Sequence, residues 1–220
     1  MKRVSLLIVI VLLGTSIDFA QKSYGSDLSA TIAIPTGPNS EYYKLGYGAI
    51  GGFYYEMESN WRFGLTLGFI RFGVDGGAVN DYFQTLGQEG YTDVTGSIST
   101  IPILFSAKYL FPTSSGKLYA VIEAGVYTYW TKLKGSITYT GSIPGVTPID
   151  KSEFSSEAGF NLGLGALFPL SKDISLDINA RYNFIQNSQT IKIDYYSDER
   201  KIGSSHFINF GIGANWNFDL

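Results

Sequence analysis

Residues 208–218 read INFGIGANWNF, and the two alternating sets of side chains in this stretch differ sharply. One set is apolar or aromatic and consists of Ile208, Phe210, Ile212, Ala214, Trp216 and Phe218. The other set is small or polar and consists of Asn209, Gly211, Gly213, Asn215 and Asn217. A period of two places successive side chains on opposite faces of a β-strand. The stretch therefore predicts a strand with one apolar face and one polar face.

The same alternation recurs along the chain. It is found in the segments 28–34, 45–57, 61–69, 100–109, 118–126, 157–168 and 174–184. Together with 208–218 these make eight predicted strands. The composition agrees, because Gly 26, Tyr 16 and Phe 15 with only 16% charged residues are typical of strands and turns rather than of helices. An all-β fold follows.

The predicted connections alternate between short and long. The short ones are 58–60, 112–117 and 169–173, and they are polar and suited to tight turns. The long ones are 35–44, 74–96, 132–153 and 187–205. Short turns at one rim and long loops at the other are typical of outer-membrane barrels, with periplasmic turns and extracellular loops.

Alternation alone does not say which face meets the surroundings, since a soluble lipocalin-like barrel alternates with its apolar side inward. Here the strands are long enough to cross a bilayer when tilted, and aromatic residues gather at their ends. The polar face carries charges and many glycines, which a water-excluding core would not tolerate. We therefore predict an eight-stranded antiparallel up-and-down transmembrane β-barrel, closed by pairing of the last strand with the first.

The N-terminus has the features of a secretory signal. Lys2 and Arg3 precede an apolar run over residues 6–13, and Ala20 stands before Gln21. The alternative is a retained membrane anchor, but the run is shorter than the roughly 20 residues that a spanning helix needs. We predict a signal peptide over residues 1–20 and a barrel domain over residues 21–220. The expected location is the bacterial outer membrane.

The charge and the ligand-bearing residues argue against several functions. A net charge of −3 without a basic stripe gives no support for nucleic-acid binding. Cys 0 and His 1 leave too few ligands for a zinc centre, so no metal and no cofactor are predicted, although a carboxylate calcium site in a loop stays open.

The alternation places a set of charged side chains inside the barrel. They are Glu56, Arg62, Lys108, Glu123, Glu157, Asp177 and Arg181. Counting across the short turns predicts that Glu56 faces Arg62 and that Lys108 faces Glu123. Buried charges need partners, so the simplest interpretation is a neutralised polar core. The alternative is the constriction of a narrow or gated conduit.

Aromatic residues at the strand ends predict two interfacial girdles. Near the short turns these are Tyr55, Trp61, Phe63, Tyr109, Phe111, Phe168, Trp216 and Phe218, and at the opposite rim Trp130 and Phe184 with Tyr47 and Phe154. The alternative is ordinary packing between strands.

His206 is the one histidine, and it lies beside Ser204 and Ser205 at the predicted outer mouth. A Ser–His pair activates a hydroxyl only when a third group orients the imidazole. Ser205 points to the opposite face and Ser204 does not, but the spacing specifies no third group. A lipid A-modifying enzyme is thus a remote alternative, and no catalytic residue is predicted.

Several short motifs carry a resemblance to a known family. They are Pro35-Thr36-Gly37 with Tyr42-Tyr43-Lys44, Ile101-Pro102-Ile103-Leu104 leading to Lys108-Tyr109, Phe168-Pro169-Leu170-Ser171 followed by Ile174-Ser175-Leu176 and Arg181-Tyr182, and the final aromatic strand. With these the chain resembles the outer membrane protein β-barrel domain family, related in architecture to OmpA/OmpX-type barrels. The resemblance covers nearly all of the mature chain, and it implies the fold and the location rather than an activity.

The expected function is that of a non-enzymatic structural or surface-interaction scaffold with long extracellular loops. The alternative is a narrow conduit, or a lateral delivery route for small hydrophobic molecules. Expected partners are outer-membrane lipids including lipopolysaccharide, the barrel-insertion machinery during assembly, and an extracellular partner at the loops. We expect a monomer.

Overall fold

The computed structural model describes residues 23–37, 40–85, 90–140, 144–186, 190–192, 199–201 and 204–219. The predicted signal peptide, residues 1–20, lies outside the described residues. Within them, no helix is both long and apolar enough to cross a membrane.

The described residues form ten strands, one α-helix and one 3₁₀ turn. The barrel strands are β1 (Ser23–Thr36), β2 (Tyr43–Glu56), β3 (Trp61–Val74), β4 (Gly90–Thr113), β5 (Gly116–Tyr139), β6 (Gly145–Pro169), β7 (Ile174–Ile185) and β10 (Ser205–Asp219). A 3₁₀ turn (Ser40–Tyr42) precedes β2, and helix α1 (Gly76–Thr85) lies between β3 and β4. Two short strands, β8 (Thr190–Lys192) and β9 (Glu199–Lys201), pair with each other alone.

The eight long strands close into one antiparallel barrel in the order β1-β10-β7-β6-β5-β4-β3-β2. Each strand pairs with its neighbours in sequence, and β10 pairs with β1 along its whole length, from Ser23 opposite Asp219 to Thr36 opposite His206. Closure leaves the sheet without an edge, which a barrel in lipid requires. The predicted fold class is confirmed.

The turns between β2 and β3, β4 and β5, and β6 and β7 are tight, as predicted. In the first of them Asn60 adopts a φ of 64°, and the Met57 amide donates to the Trp61 carbonyl at 2.8 Å. Asn tolerates this left-handed conformation better than most residues do. The turn therefore sets the register in which Glu56 stands opposite Arg62.

The long connections differ from the prediction in one respect. Most of the predicted loop 132–153 is strand, because β5 continues to Tyr139 and β6 begins at Gly145; likewise β4 already begins at Gly90. Ladder hydrogen bonds join backbone groups, so a hairpin can continue above the membrane where its side chains no longer need to be apolar. The polarity of these residues marks the membrane boundary and not the end of the strands.

The apolar face points outward. Leu28, Phe105, Leu164 and Ile212 are 54%, 60%, 68% and 57% exposed, whereas the alternate charged face is buried. An exposed apolar band around a closed barrel matches a lipid environment and excludes the lipocalin-like alternative. The chain is therefore a transmembrane barrel of the bacterial outer membrane.

Candidate functional site

The periplasmic end of the lumen holds an ion-paired layer. Glu56 stands opposite Arg62, whose Nε donates to Glu56 Oε2 at 2.7 Å. Lys117 donates from Nζ to Glu56 Oε1 at 3.0 Å. Both carboxylate oxygens of Glu56 thus have cationic partners, which is what a largely buried carboxylate requires.

Arg62 is itself buried and is held by neutral groups on two other strands. Its Nη1 and Nη2 donate to the side-chain oxygens of Asn215 and Asn217, both at 3.3 Å. The guanidinium lies 4.3 Å from the ring centroid of Tyr54, whose hydroxyl lies 2.8 Å from the oxygens of both asparagines. The layer consequently ties β2, β3 and β10 together across the lumen.

A second layer lies above it and contains an acid that the sequence analysis missed. Lys108 pairs with Asp27 of β1, with Nζ 3.4 Å from Oδ2. The prediction that Lys108 faces Glu123 is wrong, because the register places Lys108 opposite Val121 and Glu123 opposite Ser106. That prediction rested on the number of residues in the turn, which does not determine the register of β4 and β5.

Glu123 instead pairs across the lumen. Its Oε2 lies 3.6 Å from Nε of Arg181, and its Oε1 accepts a hydrogen bond from the Thr66 hydroxyl at 2.6 Å. The ion pair is longer than a hydrogen bond, so the two charges attract without a direct donor–acceptor contact. Both side chains are fully enclosed by the barrel.

Asp177 is fully buried and is bound by neutral donors. The Tyr119 hydroxyl donates to its Oδ1 at 2.8 Å, and Nδ2 of Asn179 approaches the same oxygen at 3.3 Å. The Tyr119 ring also lies under the Lys108 ammonium, 4.4 Å away. Tyr119 therefore links the Lys108 side of the lumen to the Asp177 side.

Glu157 is placed apart from the other six predicted charges. It faces inward opposite Tyr127, at the extracellular end of the lumen, and it is only half-buried. The structure thus brings Glu56 together with Arg62 and Glu123 together with Arg181, but it does not bring Glu157 into their layers.

Two clusters of buried apolar side chains fill the lumen around these charges. Ala33, Ile50, Ile70, Phe72, Leu104, Tyr127, Ile185 and Phe207 form a buried apolar cluster towards the extracellular side. Leu110, Tyr119, Val121 and Leu167 form a second cluster at the other end. Between them a cavity of about 10 Å³ is lined by the charged side chains, which is about the space of one water molecule.

The outer wall carries a larger depression, of about 480 Å³, on its lipid-facing side. Small outward residues at Ser26, Ala49 and Gly51 form its floor between Leu28, Phe53 and Trp216. The pairing of β1 with β2 is continuous beneath it, from Ser23 opposite Glu56 to Ala33 opposite Gly46. The depression is therefore separated from the lumen by an intact hydrogen-bonded wall.

The predicted interfacial aromatics all lie on the outward face. Trp61, Phe63, Tyr109 and Phe111 form a continuous set of ring contacts near the short turns, with centroids 4.8–5.8 Å apart. Trp130 is 47% exposed at the opposite rim. Phe184 packs against Phe160 and the His206 ring there. The sequence analysis did not include Tyr24, whose ring contacts Tyr55 at 5.5 Å.

His206 lies at the outer rim between two partners. Ser204 Oγ is 2.7 Å from Nε2, and the Tyr182 hydroxyl contacts Nδ1. The third group beside the Ser204–His206 pair, which the sequence did not specify, is thus the phenol of Tyr182 and not a carboxylate. A phenol can orient the imidazole, but it lacks the negative charge that stabilises an imidazolium in a catalytic triad.

Three residues of the lumen escaped the sequence analysis although a signal for them existed. Asp27 lies in phase with the polar face of β1, next to Ser29 and Thr31. Tyr54 and Tyr119 are aromatic, and the sequence analysis considered aromatic residues only for the lipid-facing side. Their hydroxyls carry the polar contacts, and their rings fill space that neighbouring glycines leave free.

Comparison with known proteins agrees with this architecture. No protein-family model and no curated protein matches the chain. A solved structure of a major outer membrane protein from Thermus thermophilus is similar, with a TM-score of 0.50 and 14% identity over 89% of this chain and 99% of that chain. Neisserial surface protein A gives a TM-score of 0.46 and 16% identity over 90% and 98% of the two chains. For Ail, the attachment invasion locus protein of Yersinia pestis, the values are 0.44 and 15% over 91% and 100%. At these identities the likeness concerns the fold alone.

Proposed function

We propose that this chain, a small outer-membrane β-barrel of the OmpA/OmpX type, is a non-enzymatic scaffold that presents a rigid extracellular sheet for surface interaction. The observation that carries the proposal is the unequal length of the strands. β4, β5 and β6 have 24, 24 and 25 residues, whereas β7 has 12. Since a tilted strand crosses the bilayer in about 9–11 residues, these strands are far longer than a crossing needs. The segments beyond the interfacial Trp130 and Phe154, residues 131–139 of β5 and 145–153 of β6, stand outside it.

The outer segments of β4, β5 and β6, which we call the extracellular sheet, contact other elements of the outer rim. Helix α1 packs against it through Phe83, whose ring contacts Tyr139 at 6.0 Å, and through the Asn80 side chain, which accepts a hydrogen bond from the Thr92 amide at 2.8 Å. Tyr82 of the same helix contacts Tyr42 at 5.8 Å. These contacts favour a preformed platform, which binds partners at a smaller entropic cost than a mobile loop does.

One edge of this platform is free among the described residues. β6 pairs with β7 from Gly159 onward, so residues 145–157 pair with β5 alone. Pro148, Asp150, Lys151 and Glu153 lie along that edge. Proline and charged side chains on an edge strand limit its pairing with strands of other chains, so this edge can stay exposed without causing aggregation.

The experiment compares the whole chain with a variant in which residues 134–150 are replaced by Asn-Gly. The new turn joins Leu133 to Lys151, which are already paired, and a two-residue Asn-Gly loop suits that geometry. Vesicles carrying either protein are applied to a panel of purified polysaccharides and matrix proteins. We expect the whole chain to bind at least one member and the variant to lose that binding. Equal binding by both proteins would refute the sheet as the interaction surface.

Passage of small molecules is the second candidate, and the depression at Gly51 is the observation that bears on it. A lateral route would have to part β1 from β2 beside Asp27, where the ladder is continuous. The packed lumen supports the scaffold more strongly. We expect no resolvable conductance steps from the purified chain in a planar bilayer, and steady single-channel steps would favour the conduit.

The enzymatic alternative rests on the contact between Ser204 and His206. An activated serine reacts with fluorophosphonates, whereas an ordinary rim serine does not. We expect no labelling of the folded chain. Labelling that disappears in Ser204→Ala would contradict the non-enzymatic proposal.

A further inference from the structure

The ion pair between Glu123 and Arg181 in the lumen is incomplete as a set of hydrogen bonds. Glu123 Oε2 and Arg181 Nε lie 3.6 Å apart, and among the described residues neither atom has a hydrogen-bond partner. The two side chains are only 1% and 4% exposed, so bulk water does not reach them. A buried donor and a buried acceptor without partners are costly. A third group that bonds to both atoms would complete the pair.

The cavity of about 10 Å³ in the lumen lies beside this pair. Glu123 and Arg181 are both among the residues that line it. A cavity of this size holds one water molecule when it also offers two to four polar partners. The position of the two unpartnered atoms beside the cavity therefore suggests a site and not a packing defect.

Further polar groups come to the cavity from other strands. Asp27, Lys108 and Ser106 line it together with Thr66. The Thr66 hydroxyl donates to Glu123 Oε1 at 2.6 Å, which fixes the carboxylate and leaves Oε2 for a different partner. Ser106 is buried and stands directly opposite Glu123. A small ligand in the cavity can thus meet polar groups on several sides.

The charges around the cavity favour a neutral ligand. Five charged side chains line it, namely Arg62, Lys108, Arg181, Asp27 and Glu123. The charge of the first is met by Glu56, which does not line the cavity. The two remaining cations then equal the two acids in number. An added cation would be repelled by the two cations and an added anion by the two acids, and this repulsion is strong inside a protein.

We propose that this cavity binds a single water molecule, which accepts a hydrogen bond from Arg181 Nε and donates one to Glu123 Oε2. An arginine only donates and an ionised glutamate only accepts, so the ligand between them has to do both. Water also has a second O–H for the Asp27 carboxylate and a second lone pair for the Ser106 hydroxyl. The inference goes beyond the proposed function and does not depend on the extracellular sheet.

The water joins two ion pairs that are otherwise separate. Lys108 of β4 pairs with Asp27 of β1, and Glu123 of β5 pairs with Arg181 of β7. A water molecule that bonds to both pairs links these four strands across the lumen. Buried apolar clusters fill the lumen on both sides of the charges, so this water exchanges slowly with the solvent.

The first test is a crystal structure of the full chain at a resolution that shows ordered water. Crystals are also soaked in rubidium chloride or sodium bromide, whose heavy ions are located by anomalous scattering. We expect one density peak in the cavity, within hydrogen-bond distance of Glu123 Oε2 and Arg181 Nε, and no anomalous signal there. A cavity without density, or a rubidium or bromide peak in it, would overturn the proposal.

The second test counts long-lived internal water molecules in solution by oxygen-17 relaxation dispersion of the full chain in micelles. Ser106→Val places an additional methyl group at the cavity, whereas the matched control Ser106→Ala removes the same hydroxyl and leaves the space. Reduced gel mobility on heating verifies that each variant is folded. We expect the whole chain and Ser106→Ala to give equal dispersions, and Ser106→Val to lose the contribution of one water molecule. Equal dispersions for all three proteins would contradict the assignment, and if Ser106→Val does not fold, the density in the unchanged chain decides.

Discussion

Single side chains inside the barrel are held by partners from distant strands. Arg181 is the clearest case, because it is buried with Glu123 and Asp177 and lines, with Glu123 and Asp27, a cavity that has space for one water molecule. Removing one member of such a group leaves the others as uncompensated buried charges, which costs more than the group contributes as a whole. The stability of the barrel therefore depends on the balance of these charges and not on their number.

The interaction energy between Arg181 and Glu123 can be measured with a double-mutant cycle. We expect Arg181→Met to lower the free energy of unfolding by about 3–5 kcal/mol, since it leaves Glu123 without its cation. Arg181→Met with Glu123→Gln should cost less than the sum of the two single changes by about 1 kcal/mol or more. Urea unfolding in lipid vesicles, followed by tryptophan fluorescence, gives the three values. Strict additivity would mean that the two charges do not interact.

Packing in the lumen makes a second prediction, at Gly165. A Cβ on this residue would lie 2.4 Å from Cζ of Tyr119, whose ring is held between Lys108 and Asp177. Because the ring cannot move without breaking those contacts, Gly165→Ala should destabilise the barrel by about 1–3 kcal/mol. Gly145→Ala is the control, since nothing lies within 4 Å of its Cβ position. Similar urea midpoints for the two variants would contradict the packing argument.

Among the elements, helix α1 begins with a side-chain cap. Asp75 Oδ1 accepts hydrogen bonds from the amides of Gly77 and Ala78 at 3.0 and 3.4 Å, and the Asp75 carbonyl accepts from Val79 at 3.1 Å. None of the helix residues is buried, so the helix depends on this cap and on the surface contacts of Asn80, Tyr82 and Phe83. Removing the cap should therefore change the stability of α1 without changing the barrel wall.

Asp75→Ala should loosen α1 while leaving the barrel intact. Loss of an N-cap costs about 0.5–2 kcal/mol, which corresponds to roughly 2- to 30-fold faster amide exchange in the helix. Hydrogen exchange measured by mass spectrometry compares peptides from 76–85 with peptides from β7. Faster exchange in β7 as well would indicate that the helix is coupled to the membrane-spanning wall, contrary to this expectation.

The same elements show what the sequence could and could not predict. Alternation identified all eight barrel strands and their outward faces, because lipid selects apolar side chains at every second position. It stopped at the membrane boundary, so residues 132–139 of β5 and 145–153 of β6 were taken for parts of a loop. The pairing of Lys108 with Asp27 depends on register and on barrel curvature, and neither is encoded in local spacing.

At the scale of the whole molecule, the barrel and the extracellular sheet are separable. The buried layers end at the apolar cluster of Phe72, Tyr127 and Phe207, and residues 134–150 contribute nothing to it. Replacing 134–150 with Asn-Gly should therefore change the urea midpoint of the barrel by no more than the measurement error. A clear drop would show that the sheet supports the wall.

The strand that closes the cylinder, β10, is the last of the eight barrel strands in chain order, and its partner β1 is the first of them. Until β10 meets β1, both strands carry unpaired backbone groups and a row of lipid-seeking side chains. No shorter portion of this strand order can adopt an edgeless form, so a chain that lacks either β1 or β10 would keep two unpaired edges. Pairing at this seam is therefore the step that completes the wall.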